Sequence, residues 1–325
     1  MSTHSNTKEK YTYKPEEIRQ LLATQYPFIY VESLEVIKKG IINTSSRVRD
    51  QKNKVYLLRR YRSTRAAKDI ERELGFCEKL SKSGLPIAKV FPNSSQKKIS
   101  LLRVNKVTFS VALFSFLQGK HIRSIQHDLI PSVAEAHAKM HKIAYRLETI
   151  KKPATITTVM HWFEDEYFAA QKKIKHNDKI KNACTGIHAE LTTLYKTHKK
   201  DIEKLPVGLC HLDYDSDNIL ETKGIVTGIV DFDDMARVPF SLDLAFSLWW
   251  WCFHNAKKRD EVFARYIHEY ESVRHLTLKE KELISFFLRI RNFILLNLLF
   301  INLPAKIDVQ SIEKVLCFDE WVCVK

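Results

Sequence analysis

The stretch "CHLDYDSDNILETKGIVTGIVDFDD", residues 210–234, carries seven carboxylates in a chain whose formal net charge is +15. Carboxylates that are packed together repel one another, and each one that is buried without a partner costs several kcal/mol. The stretch therefore predicts one of two things. Either the acids cover a solvated face, or a positive ion or group lies among them.

The centre of this stretch predicts a β-hairpin. Apolar and β-branched residues flank "ETKG", which supplies turn chemistry. A ladder symmetric about Gly224 and Ile225 would place Asn218 opposite Asp231, and directly opposed residues have Cβ atoms about 4.5–5.5 Å apart. An amide oxygen and a carboxylate at the open end of the hairpin can then share one cation.

Magnesium suits such a site, because it prefers hard oxygen ligands and takes most of its shell from water and phosphate. Asp233 lies two residues beyond Asp231 and could reach the same ion or a second one. Asp213 lies on the loop that leads into the hairpin. It can face a cleft without binding the metal, as a base that orients a substrate hydroxyl would.

The acids admit two other interpretations. An EF-hand loop would begin at Asp213, but its sixth position is Asn218 where glycine is needed, and its twelfth is Gly224 where glutamate is needed. The second interpretation is that the acids solvate a turn or cap helices. We accept it for Asp215 and Asp234 and reject it for the set as a whole.

The composition limits the classes of protein to which this chain can belong. A chain of 325 residues with 45% hydrophobic residues can build two lobes and a sizeable core. The six cysteines form no CxxC pair, which predicts reduced thiols in a cytoplasmic protein. Lys and Arg are spread along the chain with no basic helix, which predicts no dedicated nucleic-acid site. A basic nucleic-acid-binding protein remains the less favoured alternative.

One segment, "LISFFLRIRNFILLNLLFINL" (283–303), is apolar enough to suggest a membrane span. Arg289 and Arg291 fall near its middle, where each arginine costs roughly 2.5–3.5 kcal/mol in a bilayer. We therefore predict a buried helix and no membrane partner. Residues 1–14 have no apolar stretch, so we expect a flexible tail rather than a secretory signal.

The rest of the chain predicts two lobes of different composition. Strand patterns occur at 54–61, 98–104 and 107–117, with a helix over 66–84 that ends at Gly84. From residue 129 onward helical patterns dominate. We predict an α+β fold with a small antiparallel-sheet lobe over 15–117 and a larger helical lobe over 118–325.

The order His-x-Asp, Asn five residues later, a hairpin and then Asp-Phe-Asp resembles the catalytic and metal-binding segments of protein-kinase-like folds. The particular version, "CHLDYDSDNIL" followed by "GIVDFDDMARVPFSLDLAF", is similar to the aminoglycoside phosphotransferase and choline kinase family. Within that family it is most similar to bacterial homoserine kinases of the second type. The resemblance covers about 36–300 and implies a two-lobed protein-kinase-like fold that uses ATP and Mg²⁺.

The resemblance also assigns roles in the larger lobe. Asp213 matches the catalytic base, and Asn218, Asp231 and Asp233 match the magnesium ligands, the last as an assisting acid. His211 and Asp243 match residues that support the catalytic loop.

In the small lobe, Arg59 matches the strand residue that anchors the nucleotide, where lysine is commoner; a guanidinium can also clamp phosphate oxygens. Strand alternation places Arg59 and Arg60 on opposite faces, and we expect Arg59 to face the cleft. Glu73, on the helix that follows, is its expected partner. The remaining nucleotide-binding matches are the phosphate-covering residues Gly40, Asn43 and Ser45 and the adenine hinge residues Phe114, Phe116 and Leu117.

The expected reaction is transfer of the γ-phosphate of ATP to a hydroxyl of a small molecule. The resemblance implies homoserine or a similar amino alcohol, then a sugar or an aminoglycoside. One or two of Trp249, Trp250 and Trp251 could line the acceptor pocket, because consecutive helical positions point about 100° apart. The main alternative is a catalytically impaired kinase fold that serves as a binding module, which Arg59 and the glycine-poor phosphate loop keep open.

Overall fold

We analysed a computed structural model of the chain, which describes residues 15–37, 43–123, 127–147, 155–174, 178–302 and 309–324. The tail expected over residues 1–14 lies outside the described residues.

The first part of the chain folds into a sheet with two helices. Its elements are α1 (Pro15–Gln25), β1 (Val31–Ile37), β2 (Thr44–Asp50), β3 (Val55–Arg60), α2 (Ala67–Lys82), β4 (Val90–Phe91), β5 (Ser100–Val104) and β6 (Val107–Ser115). The six strands form one antiparallel sheet in the order β1-β2-β3-β6-β4, with β5 also paired to β6. The predicted strands and the predicted helix are confirmed, and Gly84 follows that helix with a positive φ of 87°.

The second part of the chain is mainly helical. Its elements are β7 (Lys120–His121), α3 (Ile130–Leu147), α4 (Thr157–Lys173), α5 (Asp178–Ile202), β8 (Val207–Cys210), β9 (Ile219–Thr222), β10 (Ile225–Ile229), β11 (Ala236–Pro239), α6 (Phe240–Phe253), α7 (Arg259–Glu271), α8 (Leu278–Asn302) and α9 (Val309–Cys323). The strands form two small sheets, β10-β9-β7 and β11-β8. The chain leaves the large sheet after Ser115 and joins the sheet of the hairpin at Lys120.

Strand β3 is covered on both faces, and this fixes where its arginines point. Buried and half-buried residues alternate along it. On one face, Tyr56 and Leu58 pack in the same apolar cluster as α1. Arg60 shares that side and places its guanidinium over the ring of Phe109, 4.3 Å from the centroid. Arg59 therefore faces the other side, as the alternation predicts.

The predicted hairpin forms from β9 and β10 around a two-residue turn. Lys223 and Gly224 have φ values of 53° and 79°. Positive φ at both central residues is what a type I′ turn requires, and this turn matches the twist of the flanking strands. Thr222 pairs with Ile225 as a result.

The register of the hairpin differs from the symmetric one that we expected. An irregularity between Val226 and Gly228 shifts the ladder by one residue. The N–H of Val230 then donates to the carbonyl of Asn218 at 2.9 Å. The predicted pairing of Asn218 with Asp231 is therefore wrong by one residue. The turn is centred on Lys223 and Gly224, one residue before the expected centre, and the bulge recovers only one of the two register positions that this costs.

Helix α8 is the apolar segment that suggested a membrane span. Among the described residues it is the one helix that is long and apolar enough to cross a bilayer, but 72% of its most apolar window is buried inside the fold. Its Arg289 forms ion pairs with Glu190 of α5 at 2.6 Å and Asp319 of α9 at 3.1 Å. The expectation of a buried helix is confirmed, and the central arginine ties three helices together.

Candidate active site

Asp213 is held by its own loop at the end of the hairpin. The side-chain nitrogen of Asn218 donates to the Asp213 carboxylate at 2.9 Å and to its carbonyl at 2.8 Å. A third group, Nη2 of Arg291 from α8, lies 3.4 Å from Oδ1 of Asp213. The carboxylate is 19% exposed, so it is positioned by the fold but still accessible to a small molecule.

Asp243, at the start of α6, holds the backbone just before Asp213. Its carboxylate accepts hydrogen bonds from the N–H of Leu212 at 2.6 Å and of His211 at 3.3 Å. Leu212 has a φ of 63°, in the left-handed region that costs a non-glycine residue energy. The carboxylate therefore helps to keep Leu212 in this conformation, which sets the direction of Asp213.

His211 packs inside the fold and joins the two halves of the site. Its ring is fully buried, Nε2 lies 3.0 Å from the carbonyl of Val230, and Nδ1 lies 3.3 Å from the N–H of Asp213. These distances fit a neutral ring that donates from Nε2 and accepts at Nδ1. The ring also packs against Phe232, with centroids 4.5 Å apart.

Two buried histidines of α3 complete the support beneath Asp243. Nε2 of His137 and of His141 lies 3.0 and 2.8 Å from the same carboxylate oxygen, while the Nδ1 atoms face the hydroxyls of Tyr266 and Tyr270 at 2.9 and 2.6 Å. Burial lowers the pKa of His141 to about 3, and the charge of His137 acts in the same direction. Every ring nitrogen has a hydrogen-bond partner, so the cluster holds together as neutral imidazoles.

Asp231 and Asp233 both form ion pairs with Arg59. Nη2 of Arg59 donates to Asp231 at 2.7 Å and to Asp233 at 2.9 Å. The arginine comes from the sheet and the acids come from the segment after the hairpin, so these ion pairs connect the two parts of the fold. Asp231 has a φ of 67° and a side chain that is 47% exposed, so its carboxylate is accessible to a small ligand or an ion.

Glu73 takes a different partner from the one expected. It forms its ion pair with Arg65 at 2.7 Å, and Arg59 points past it to the two acids. Burial raises the pKa of Glu73 to about 7, although the charges of Arg59 and Arg65 oppose that rise. The expected Arg59–Glu73 pair is therefore corrected to Arg65–Glu73. The reason is that Arg65, in the loop just before α2, lies next to the buried glutamate on the same helix.

Asp233 is surrounded by donors from the small lobe. Arg65 and Arg59 both contact its Oδ1, and the side-chain nitrogen of Asn43 contacts its Oδ2. Asn43 also accepts from the N–H of Arg62 at 3.2 Å, so it links the start of β2 to the acid. Its expected phosphate-covering role stays a prediction.

The other predicted nucleotide residues lie where the two parts of the fold meet. Ser45 pairs with Arg59 in the sheet, and Phe114, Phe116 and Leu117 form the end of β6 and the segment after it. Gln118 just beyond them accepts a hydrogen bond from Thr227 of the hairpin at 2.8 Å. Gly40 lies outside the described residues.

Magnesium, the ion that the resemblance implies, fits the oxygen atoms at this point. The side-chain nitrogen of Asn218 makes both of its contacts with Asp213. The side-chain oxygen of Asn218 is therefore the atom that remains for a metal ion. Asp231 has one oxygen on Arg59 and an exposed side chain. Both oxygens of Asp233 already accept hydrogen bonds, so Asn218 and Asp231 fit the ion best; a ligand role for Asp233 stays a prediction.

Two further features lie on the loop between Asp213 and Asn218. Asp215 accepts from the N–H of Asp217 at 2.8 Å, the turn role that we assigned to it, and burial together with the charge of Asp213 raises its pKa to about 7. Trp250 donates from its indole nitrogen to Ser216 at 3.0 Å and is only partly buried. Of the three consecutive tryptophans, Trp250 is the one that reaches this loop, because Trp249 and Trp251 are buried in the core.

Sequence reasoning missed two arginines of the site, Arg65 and Arg291. Neither belongs to a motif, and Arg291 lies in an apolar helix 78 residues from the acid that it contacts. The signal that could have found it is its position: a charged side chain in the middle of a buried helix needs a polar partner inside the fold.

The chain is similar to known phosphotransferases. The sequence model that describes the phosphotransferase enzyme family (APH) matches residues 33–276 of this chain. Among curated relatives, the homoserine kinase of Bartonella tribocorum is 24% identical over 263 residues, which cover 81% of this chain and 78% of the relative. That of Rhizobium meliloti is 26% identical over 275 residues, covering 82% and 78%.

Solved structures show the same fold at lower identity. An amicoumacin kinase in complex with AMP-PNP and Ca²⁺ superposes with a TM-score of 0.72 at 18% identity, covering 95% of this chain and 93% of the other. A microcompartment-associated aminopropanol kinase superposes with a TM-score of 0.70 at 17% identity, covering 95% of each chain. The predicted kinase-like α+β fold and the predicted resemblance are both confirmed. With three quarters of its length matched by the family model, this chain belongs to the phosphotransferase enzyme family.

Proposed function

We propose that this chain is an ATP-dependent kinase that phosphorylates a hydroxyl of a small molecule, with Asp213 as the base. The observation that carries the proposal is the arrangement around Asp213. The carboxylate is accessible and is fixed by Asn218 and by the positive φ of Leu212, and Arg59 contacts Asp231 and Asp233 just after the same hairpin. Positioning and charge stabilisation of this kind account for most of catalysis in phosphoryl transfer.

The reaction forms a bond between the acceptor oxygen and the γ-phosphorus and breaks the bond between that phosphorus and the bridging oxygen of ADP. Asp213 orients the acceptor hydroxyl and takes its proton. Arg59 is placed to donate hydrogen bonds to phosphate oxygens, since its guanidinium lies at the cleft between the two parts of the fold. Arg65 holds Glu73 and Asp233 and so supports this wall.

Asn218 and Asp231 are the residues that would hold Mg²⁺. When bound, the ion supplies positive charge to the phosphate oxygens. Asn218 would then have two tasks, because its nitrogen fixes Asp213 and its oxygen would be the atom left to hold the ion. This double use explains why an amide fits this position better than a carboxylate, which could not donate to Asp213.

Homoserine is the first acceptor to test, because the curated relatives are homoserine kinases. Amino alcohols follow, since one of the similar structures is an aminopropanol kinase. Sugars and aminoglycosides complete the panel. We also propose a cytoplasmic location, where ATP is available and where the six free cysteines of the structure would stay reduced.

The test is ATP consumption by the purified chain with Mg²⁺ and this panel of alcohols, with phosphorylated product identified by mass. Asp213→Asn should lower kcat by roughly 10²–10⁴-fold, the usual contribution of a positioned base, and leave ATP binding intact. Asp231→Ala should weaken binding of MgATP as well. Asp69→Asn, on an exposed turn of α2, is the matched control and should behave as wild type.

Three outcomes would contradict the proposal. Near-normal turnover by Asp213→Asn would show that another group takes the proton. Binding of MgATP without turnover of any alcohol would favour the alternative of a binding module, and steeply salt-dependent binding to nucleic acid would favour the other alternative.

A further inference from the structure

Two arginines of α8 point into the fold, and only one of them is satisfied by protein groups. Arg289 is 9% exposed and gives two paired contacts to each of two carboxylates, Glu190 and Asp319, at 2.6–3.1 Å. Two positions further along the helix, Arg291 turns by about 200° to the other side of α8. It is 7% exposed and has a different environment.

Arg291 is an under-satisfied buried cation. Its Nη2 lies 3.4 Å from Oδ1 of Asp213, which is long for a charge-assisted hydrogen bond, and its buried Nε has no hydrogen-bond partner. One face of the guanidinium packs over the ring of Phe246, 4.9 Å from the centroid. A buried guanidinium with an unpaired donor is costly unless another acceptor completes it.

A counter-ion role for Arg291 does not account for this geometry. If the arginine served only to neutralise Asp213, the ion pair would close to the distances that Arg289 shows on the same helix. Instead the Asp213 carboxylate is held by Asn218, and Arg291 lies beside it with donors to spare. The guanidinium is therefore arranged for a planar anion that arrives with the acceptor.

We infer that Arg291 binds a carboxylate of the acceptor, so that the acceptor is a short hydroxy acid such as a hydroxy amino acid. This inference rests on the proposed function, because it places the acceptor hydroxyl on Asp213. With the two protein groups 3.4 Å apart, the hydroxyl and the carboxylate must be separated by a chain of only roughly two to four carbon atoms. Homoserine meets this condition, and a polycationic aminoglycoside would be repelled by Arg291.

The test uses two acceptors that differ only in the carboxylate: homoserine and 3-aminopropan-1-ol. We expect the wild-type chain to have a kcat/KM at least about 10-fold higher for homoserine. Arg291→Met should lower kcat/KM for homoserine about 30-fold more than for the amino alcohol, because any effect of the lost guanidinium on Asp213 is common to both acceptors. Arg291→Lys keeps the positive charge but loses the planar pair of N–H donors. It should therefore show an intermediate preference for homoserine over the amino alcohol.

The matched control is Arg265→Met, which removes an exposed arginine of α7 that forms a surface ion pair with Glu269 of the same helix. It should leave the preference for homoserine unchanged. If Arg291→Met does not fold, as judged by circular dichroism, binding of homoserine to Arg291→Lys and to wild type is measured by calorimetry with AMP-PNP. A roughly 10-fold loss for homoserine alone supports the inference.

The outcomes separate the inference from the proposed function. If wild type phosphorylates 3-aminopropan-1-ol as well as homoserine, or if Arg291→Met lowers both equally, carboxylate recognition by Arg291 is refuted while the kinase activity stands. If wild type phosphorylates no alcohol, the proposed function fails. The calorimetric experiment then still decides the inference, and absence of homoserine binding overturns it.

Discussion

Removing the carboxylate of Asp243 should strongly lower the free energy of unfolding, because this one side chain accepts several buried hydrogen bonds. The side chain is fully buried and accepts from four donors: Leu212 N–H at 2.6 Å, His141 at 2.8 Å, His137 at 3.0 Å and His211 N–H at 3.3 Å. A buried donor left without an acceptor costs about 1–3 kcal/mol. At the low end for each donor, since water can enter the vacated space, Asp243→Ala should lower the free energy of unfolding by about 4 kcal/mol.

Asp243→Asn separates the hydrogen bonds from the charge. The asparagine oxygen can still accept from Leu212, and its two N–H groups can donate to the histidine Nε2 atoms. This requires His137 and His141 to move their protons to Nδ1, where the tyrosine hydroxyls can accept them. Only the long contact to the His211 N–H is lost, so we expect a loss of about 1–2 kcal/mol.

Urea unfolding of both variants, followed by circular dichroism at pH 7, measures these losses, and kcat with saturating substrate measures the effect on the site. Because Leu212 loses the group that holds its positive φ, Asp243→Ala should also lower kcat by about 100-fold in conditions where it is folded. A loss below about 2 kcal/mol for Asp243→Ala, or kcat near that of wild type, would refute the reasoning.

Three further predictions concern stability. Because His141 stays neutral in the fold to a pKa of about 3 while an unfolded histidine is protonated below about 6.5, the free energy of unfolding should fall as pH drops through this window. In urea titrations His141→Gln should reduce that slope, and an unchanged slope would contradict the pKa. Gly119→Ala should lower the free energy of unfolding by at least about 1 kcal/mol, since φ is 134° and a Cβ would lie 2.5 Å from Thr227 Oγ1. An unchanged thermal unfolding temperature would contradict this contact. Arg289→Met should lower the free energy of unfolding in urea by about 2 kcal/mol, because the mostly buried Asp319 is left without its cation. Arg289→Lys should recover part of this loss, and no recovery would contradict a role for the ion pairs.

Much of the site could be predicted because its residues lie in one short stretch. The hairpin turn is visible as "ETKG", and the order of Asp213, Asn218 and Asp231 along the chain is the order in which the loop, the hairpin and the next loop deliver them. The alternation of β3 predicts that Arg59 and Arg60 face opposite sides of the sheet, since a strand has a period of two. These inferences need only local geometry.

The parts that were missed or wrong depend on contacts between distant segments. The hairpin turn lies one residue earlier than the expected centre, and a one-residue bulge in β10 makes up only half of the resulting shift, so Asn218 meets Val230 and not Asp231. The partner of Glu73 is decided by how the loop before α2 folds, which no periodicity describes. Arg291 becomes part of the site only because α8 packs against the catalytic loop.

The positive groups among the acids of 210–234 are supplied by the protein itself. Arg59 comes from β3, Arg65 from the loop before α2 and Arg291 from α8, so three separate elements each direct a guanidinium to the acids. Because fixed arginines neutralise part of the acidic charge, the acids can lie close together before any nucleotide binds. The arrangement also divides the cleft: Arg59 and Arg65 lie on the side of Asp231 and Asp233, and Arg291 lies on the side of Asp213. If the proposed function is right, a phosphate donor and an anionic acceptor would each meet a guanidinium on its own side of the site.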